Sequence, residues 1–205
     1  QAVLPQHGLL GKLFPTNLVF FRPRDLVSGD FYFVKEIGDL AIFAVADCTG
    51  HGVPGAFMSM LSIALLNEIV RHHEADSPAA VLEKLRIQVK AALHQTREVS
   101  AQKDGLDIAL CAVNRKTNEL EFAGANNPLY LIRNGELETL APVKNPIGIY
   151  IKEKPFENRK VQLQKGDVIY LSSDGYPDQF GGPKGGKLKY KRFRQLLLDA
   201  HQLAS

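Results

Sequence analysis

The chain has no tryptophan, two methionines and two cysteines among its 205 residues. Cys48 and Cys111 lie in apolar, strand-like segments and form neither a metal-ligand spacing nor a disulfide framework. A reducing compartment is therefore expected, and we predict a cytoplasmic domain, although the full-length protein could be anchored to a membrane. No run approaches the roughly 20 apolar residues of a membrane span, and the first residues lack the basic start and apolar middle of a signal peptide.

An excess of one charge is also missing, because 25 lysines and arginines face 22 aspartates and glutamates, a formal net charge of +3. A nucleic-acid binder usually concentrates its basic residues, so we expect no nucleic-acid partner. The one dense basic run is PKGGKLKYKRFR, Pro183 to Arg194. It is typical of a solvated helix start, and the alternative of a phosphate-binding patch stays open.

Hydrophobic residues make up 45% of the chain, enough for one domain with a sizeable core. No Pro/Ser-rich linker or charge block divides it, so we predict a single domain over residues 1–205. The chain begins without Met and ends in a helical pattern, which leads us to expect a fragment of a longer regulatory protein.

Apolar periodicity predicts strands in hairpins and three helices. LVFFRP is typical of a short edge strand ended by proline. Four hairpins are predicted in DFYFVKEIGDLAIFAVAD, IALCAVNRKTNELEFAGA, LYLIRNGELETL and KVQLQKGDVIYLSSDG. The helices are predicted at Pro54–Val70, from an N-cap at Ser77 to about Gln95, and at Tyr190–Leu203. This order predicts an α+β sandwich of antiparallel sheets with helices packed outside.

Four aspartates lie where a strongly apolar strand meets a small-residue segment: Asp30, Asp47, Asp107 and Asp174. One such residue is commonly a turn former. If the strands are neighbours, however, their ends converge, and repulsion between the carboxylates raises their pKa values unless cations lie between them. Carboxylate-rich sites suit Mg²⁺ or Mn²⁺, and two such ions can activate water for displacement at phosphorus.

A glycine-rich turn follows one of these aspartates, in ADCTGHGVPGAFMSM from Ala46 to Met60. Its glycines, Gly50, Gly52 and Gly55, let the backbone approach a metal or a phosphate closely. Alone, the segment is explained equally well by a turn into a helix N-terminus.

Four motifs in order resemble the SpoIIE-like branch of the type 2C (PPM) metal-dependent serine/threonine protein phosphatases: VSGDFY, VADCTGHGVPGAFMSM, AGANNPLYLIRNG and KGDVIYLSSDGYPDQFG. The resemblance extends from about Phe20 to Phe193 and implies a two-sheet antiparallel β-sandwich flanked by α-helices, with a pair of Mn²⁺ or Mg²⁺ ions at one end. It further implies hydrolysis of phosphoserine or phosphothreonine on a bacterial regulatory protein by metal-activated water, with no phosphoenzyme.

The resemblance also assigns metal-binding and catalytic residues. Asp47 would bridge both ions, and Asp174 would hold the first. Asp30 would hold the second ion, with the backbone carbonyl of Cys48 as a further ligand.

Two departures from the family pattern affect this assignment. Cys48 stands where relatives commonly have Gly; its carbonyl can still serve, and its thiol raises the question of redox sensitivity against the commoner role of a buried cysteine. Nothing after Asp178 matches the family's C-terminal acidic pair. We therefore expect the C-terminal strand to be missing and this fragment to be weakly active or inactive.

Three further residues have two interpretations each. Asp107, which stands where many relatives carry a small or hydroxyl residue, would assist a metal or substrate contact, or have a turn or strand-start role. Asp178 would be a peripheral metal ligand, or cap its turn. His51 would donate to phosphate or act as general acid, or be a turn residue. The asparagines of GANNP favour an Asx turn over a substrate contact.

The preferred function is a phosphatase output domain in signal transduction, acting on a phosphorylated protein such as an anti-sigma-factor antagonist. The resemblance implies that the two helices after the glycine-rich turn carry regulation from an upstream sensor domain. The alternative is a non-catalytic, degenerate phosphatase-fold module that binds a signalling partner. A metal-dependent phosphodiesterase is a weaker third option, since no feature marks a base pocket. A homodimer stays open.

Overall fold

Antiparallel pairing organises the chain in a computed structural model, which describes residues 8–23, 25–71, 76–95, 104–181 and 185–204. The helices are α1 (Leu9–Leu13), α2 (Gly52–Arg71), α3 (Pro78–Ala92) and α4 (Lys189–Ala204). The strands are β1 (Phe31–Ile37), β2 (Leu40–Cys48), β3 (Gly105–Asn114), β4 (Glu119–Ala125), β5 (Leu129–Arg133), β6 (Glu136–Leu140), β7 (Ile147–Gly148), β8 (Arg159–Gln162), β9 (Val168–Leu171), β10 (Phe180–Gly181) and β11 (Gly186–Lys187).

Two sheets form the body of the fold. The larger has the order β1-β2-β3-β4-β8, with β7 paired to β3, and the smaller has the order β6-β5-β9. A buried apolar layer joins them and contains Ala109, Cys111, Val113, Leu120, Phe122, Leu129, Leu131 and Leu140. A second core lies between the larger sheet and α2 and α3. The predicted α+β sandwich of antiparallel sheets with outer helices is confirmed; a short β10-β11 ribbon was not foreseen.

Three of the four predicted hairpins are confirmed. β1 pairs with β2, β3 with β4, and β5 with β6, each antiparallel. The last of these turns at Asn134 and Gly135, whose φ angles are 52° and 78°. Positive φ at both central residues is what a type I′ hairpin turn requires, and Asn-Gly supplies it at little steric cost.

The fourth hairpin prediction is wrong. β8 and β9 are not paired to each other, because β8 adds to β4 in the larger sheet and β9 adds to β5 in the smaller one. Their connection therefore carries the chain from one sheet to the other. Asp167 anchors this crossing, accepting hydrogen bonds from Arg133 Nε at 2.9 Å and from the Gln164 N–H at 2.8 Å. The turn residues that signal a hairpin serve equally for a crossing.

The edge strand predicted at Leu18–Pro23 is also wrong. These residues have no regular structure, and no strand of the described chain pairs with them. Leu18 and Phe20 are 91% and 72% exposed, so the apolar run does not supply the core. Its aromatic contacts are edge-to-face pairs of Phe20 with Tyr176 and of Phe21 with Tyr32, with ring centroids 6.2 Å and 6.0 Å apart.

α3 begins as predicted and ends early. Ser77 Oγ accepts a hydrogen bond from the Ala80 N–H at 3.3 Å, and Pro78 is the first helical residue. The helix stops at Ala92, before the expected Gln95. The Gln95 side chain instead accepts a hydrogen bond from the Ile149 N–H at 3.0 Å, which ties the chain after α3 to the segment after β7.

The apolar periodicity predicted α2 correctly, but it did not identify all of the residues that the helix buries. Phe57 and Met60 are 69% and 51% exposed, whereas Gly55, Ser59 and Ser62 face the core. Small residues lie inward because the helix start lies close to neighbouring backbone. Contrary to the sequence expectation, α2 is long and apolar enough for a membrane span, with a mean hydropathy of 1.6 over an 18-residue window. This is weak evidence, since 44% of that window is buried within the fold and a core helix meets the same criterion.

Three backbone segments meet without side chains where α2 begins, through Gly29, Gly50 and Gly55. A Cβ on Gly55 would lie 2.6 Å from the carbonyl oxygen of Gly50. A Cβ on Gly29 would lie 2.9 Å from that oxygen and 3.1 Å from the carbonyl oxygen of Cys48. We call this contact the glycine triad. It brings the start of α2 against the place where the β1–β2 ladder sets Asp30 beside the end of β2.

We expect Gly55→Ala to destabilise the protein by about 1–3 kcal/mol, because its Cβ would overpack the glycine triad. Helix propensity alone predicts the opposite, a gain of about 1 kcal/mol. Urea denaturation followed by circular dichroism measures the difference. Gly11→Ala is the matched control, since Gly11 is also helical and its nearest foreign atom would lie 3.8 Å away. Equal free energies of unfolding for both variants would contradict the role of the triad.

Candidate functional site

Strand pairing brings the predicted aspartates to one end of the sandwich. Asp47 on β2 lies directly opposite Asp107 on β3. Asp30 immediately precedes β1, and Asp174 follows β9 of the smaller sheet. Ser173 Oγ donates a hydrogen bond to Asp30 Oδ2 at 2.8 Å, which ties the end of β9 to the start of β1. Both sheets therefore contribute carboxylates to one rim.

Asp47 lies at the centre of this group. Burial, and next the nearby carboxylates of Asp30 and Asp174, raise the pKa of Asp47 to about 8. Crowded carboxylates disfavour one another's ionised form unless a proton or a cation intervenes. Such perturbed groups in a cleft mark candidate functional sites.

Asp107 is held in place by Asn126. Asn126 Nδ2 donates to Asp107 Oδ1 at 2.8 Å. Burial raises the pKa of Asp107, the Asn126 hydrogen bond opposes that shift, and the charge of Asp174 adds to it. Asn126 has a φ of 59° at the end of β4, a left-handed conformation that asparagine tolerates. The Asx-turn interpretation of GANNP therefore missed the direction of this side chain.

A cleft of about 320 Å³ opens against three of these carboxylates, and its lining includes Asp47, Asp104, Asp107, Asn126, Tyr150 and Asp174. Asp30 lies outside the lining, next to Asp47. A second cleft, of about 390 Å³, lies beside α2 and is lined by Lys35, Ala64, Asn67, Glu68 and Arg71. We take the first as the candidate site because it combines a concave surface with converging, perturbed carboxylates.

The structure adds residues that sequence reasoning missed. Thr49 Oγ1 donates to Asp104 Oδ1 at 3.1 Å and accepts from the Gly105 N–H at 3.1 Å. Ser173, beside Asp174, binds Asp30. These partners are 55, 56 and 143 residues apart in sequence, so no local pattern signals them.

Cys48 ends β2 with its carbonyl oxygen toward Gly29, on the side of Asp30. It is not among the described residues with positive φ, so the position does not require glycine. Its side chain is buried, and burial raises the pKa of the thiol to about 12. A thiol of this kind is not ionised near neutral pH and reacts poorly. The structure therefore favours a core cysteine over redox sensitivity.

His51 and Asp178 lie outside the cleft lining. His51 is exposed, with Nδ1 3.7 Å from Asp25 Oδ2. Asp178 accepts a hydrogen bond from Lys187 Nζ at 2.8 Å, and its N–H donates to the carbonyl of Asp174 at 2.9 Å. That geometry matches the turn-capping interpretation of Asp178, and a direct role for either residue stays a prediction.

The donors at this rim fit a hard divalent cation by chemistry, since Mg²⁺ and Mn²⁺ prefer carboxylate and carbonyl oxygens. A cation would also relieve the repulsion around Asp47. Within the described part of the chain, however, no three His, Cys, Asp or Glu side chains converge closely enough to hold an ion. The donor set is therefore suitable, but it does not form a closed three-side-chain shell.

Two antiparallel sheets with outer helices and carboxylates from both sheets at one rim define a PP2C-type phosphatase fold. The family model for Stage II sporulation protein E (SpoIIE) matches residues 38–205. The chain therefore belongs to the SpoIIE family, and the resemblance seen in its motifs is confirmed. Among curated proteins, none matches the chain.

Solved structures agree with this assignment. The SiaA-PP2C domain of Pseudomonas aeruginosa matches with a TM-score of 0.84 and 35% identity, over 97% of this chain and 76% of that one. The RsbU and RsbW domains of a Mycobacterium tuberculosis protein match at 0.68 and 20% identity, over 87% and 47%. The PP2C phosphatase domain with part of the regulatory domain of Bacillus subtilis SpoIIE matches at 0.60 and 24% identity, over 77% and 44%. The last two likenesses show the fold alone, and this chain spans less than half of either.

The raised pKa of Asp47 predicts that metal-free protein loses stability as pH rises. The unfolded chain releases this proton near pH 4, whereas the folded chain keeps it until about pH 8. Between these values the folded state binds more protons, so the free energy of unfolding falls as pH rises. A pKa difference of this size corresponds to about 5 kcal/mol for a fully buried group, and solvent screening of the half-buried Asp47 lowers that figure. We therefore expect the free energy of unfolding of Asp47→Asn to exceed that of the wild type by on the order of 2 kcal/mol above about pH 8 and to match it near pH 4.

Urea denaturation in EDTA at several pH values measures this difference. Asp39→Asn is the control, because Asp39 lies in the turn at the far end of the same hairpin and makes an exposed ion pair with Lys116. Such pairs contribute little. A gain from Asp47→Asn that did not change with pH would show that carboxylate crowding is not its cause.

Proposed function

We propose that this chain is a metal-dependent protein serine/threonine phosphatase that hydrolyses phosphoserine or phosphothreonine on a bacterial regulatory protein. The observation that carries the proposal is the half-buried Asp47, which lies near Asp30 and Asp174 at a cleft in a SpoIIE-family fold. Catalytic sites are where crowded, perturbed carboxylates are retained despite their cost.

In this proposal Asp30, Asp47, Asp174 and the Cys48 carbonyl hold Mn²⁺ or Mg²⁺. Two such metal ions would supply Lewis acidity, which polarises a phosphoryl group and makes water a stronger nucleophile. The glycine triad keeps Asp30 close to the Cys48 carbonyl, and Ser173 orients the Asp30 carboxylate.

The family context supports a protein as substrate. The similar structures bear the names SiaA, RsbU with RsbW, and SpoIIE, the last described as a cell fate determinant with a regulatory domain. We accordingly propose a phosphorylated regulator, such as an anti-sigma-factor antagonist, as the substrate. An upstream sensor domain that acts through α2 and α3, and a cytoplasmic location, belong to the same proposal.

A non-catalytic phosphatase-fold module is the second candidate. Two observations favour it: Asp174 is exposed, and the described side chains do not close around an ion. A partner-binding domain would retain the fold and the cleft without turnover. Activity on a phosphoprotein separates the two candidates.

We expect Mn²⁺-dependent release of phosphate from a phosphoserine peptide, measured by a colorimetric phosphate assay and abolished by EDTA. Asp47→Asn should lower kcat by roughly 100-fold or more, because the central carboxylate that would hold the metal is lost. Asp39→Asn, the same chemical change at the far end of the β1–β2 hairpin, should leave kcat unchanged. Full-length protein without turnover on any phosphopeptide would favour the non-catalytic module.

A further inference from the structure

The start of α4 carries an unusual concentration of positive charge. Lys187, Lys189, Lys191, Arg192 and Arg194 lie within the basic run seen in the sequence, of which Pro183 and Lys184 lie outside the described residues. Lys187 binds Asp178. The other four have no ion pair among the described residues, and all four are exposed. By helical periodicity Lys191, Arg192 and Arg194 lie on the side of α4 away from Phe193, and Lys189 lies at the helix start. We call these four residues the basic face.

A solvated helix start does not explain this composition. The N-terminus of a helix carries partial positive charge, which favours acidic residues in the first turn and disfavours cations. α4 has no acidic residue in its first turn, so the basic face opposes the dipole of its own helix. An external anion would satisfy both the side chains and the helix end.

The basic face lies beside the candidate site. Phe193, its one buried neighbour, packs against Tyr130 and Tyr176, with ring centroids 5.8 Å and 5.5 Å away. Tyr176 follows Asp174 by two residues. Burial, followed by the charge of Asp174, raises the pKa of Tyr190 in the first turn of α4. The helix start therefore lies on the rim of the carboxylate cluster.

We propose that the basic face docks an acidic segment of the phosphoprotein substrate, next to the residue that carries the phosphate. This inference rests on the proposed function. The two regions would divide the contacts to the substrate, because the carboxylate site would receive the phosphoester while the basic face attracts its acidic flank.

An acidic protein segment fits the surface better than a nucleic acid. The cations occupy only the first turns of one helix, and the charges of Asp174, Asp178 and Asp107 act on Tyr190 in that same turn. A polyphosphate chain tracking past the helix would meet those carboxylates, whereas a short acidic stretch can end before them. Phe180 adds an apolar surface for such a segment: it is 72% exposed, and Lys187 Nζ lies 5.7 Å from its ring centroid.

The test compares two phosphoserine peptides with the same central sequence, one flanked by Asp and Glu and one by Ser and Gln. The wild type should have the lower KM for the acidic peptide. Lys191→Glu combined with Arg192→Glu should raise that KM roughly tenfold, with kcat and the hydrolysis of para-nitrophenyl phosphate unchanged. The two glutamates favour the helix N-terminus, so the variant should fold.

Lys116→Glu combined with Lys165→Glu is the matched control. It reverses the same number of charges at the β3–β4 and β8–β9 turns, away from the cleft. Its KM for both peptides should equal that of the wild type. Equal KM values for the two peptides in the wild type, or equal losses from both double variants, would overturn the proposal.

A binding assay separates this inference from the proposed function. Fluorescence anisotropy of the labelled acidic peptide in EDTA reports docking without turnover. Binding that Lys191→Glu with Arg192→Glu abolishes, in a protein that never releases phosphate, would support docking and contradict the phosphatase. Release of phosphate from both peptides with equal KM values would support the phosphatase and contradict docking. Variant-sensitive binding of a single-stranded oligonucleotide, with peptide binding unaffected, would also overturn the proposal.

Discussion

Side-chain-free contact between Gly29, Gly50 and Gly55 sets the distance between three parts of the chain that share no hydrogen-bonded strand ladder. The Gly50 carbonyl oxygen lies only 2.6 Å and 2.9 Å from where a Cβ would stand on Gly55 and Gly29, so these positions cannot acquire larger residues without rearrangement. The β1–β2 ladder, which pairs Phe31 with Ala46, places Asp30 beside the end of β2, and the glycine contact brings the start of α2 against the same place. Since Gly55 belongs to α2, a movement of that helix reaches the turn after Asp47 directly, which gives the proposed sensor control a physical route.

Asp47 lies close to Asp30 and Asp174 at the same end of the sandwich, and no basic side chain of the described residues is a main neighbour of Asp47. Asp47 has other carboxylates as its main charged neighbours, whereas Asp167 pairs with Arg133 and Glu36 with Lys12 and Arg115. A structural aspartate is normally treated like Asp167. The rim therefore departs from the way this chain handles its other acids, and that contrast favours a functional reason for the cluster.

Local sequence patterns were sufficient to predict most helices and strands. They also located the strand ends that carry Asp30, Asp47, Asp107 and Asp174. Hairpin turns and alternation are encoded within a few residues, so three hairpins could be predicted. The crossing between β8 and β9 could not, because its turn is compatible with either partner sheet. Contacts such as Ser173 with Asp30 and Asn126 with Asp107 depend on segments far apart in sequence, and only the assembled sheets bring them together.

The carboxylate cluster and the basic face lie at one rim and, in our proposal, bind different parts of the substrate. The carboxylates alone would repel a phosphorylated protein, and the basic face alone would bind many anions without selecting among them. Phe193 packs α4 against Tyr130 and Tyr176. This packing fixes the distance between the basic face and the cleft. A substrate is then favoured only when its acidic flank and its phosphate are spaced to match. Specificity would follow from this spacing, because a substrate with a different spacing cannot place its phosphate in the cleft and its acidic flank on the basic face at the same time.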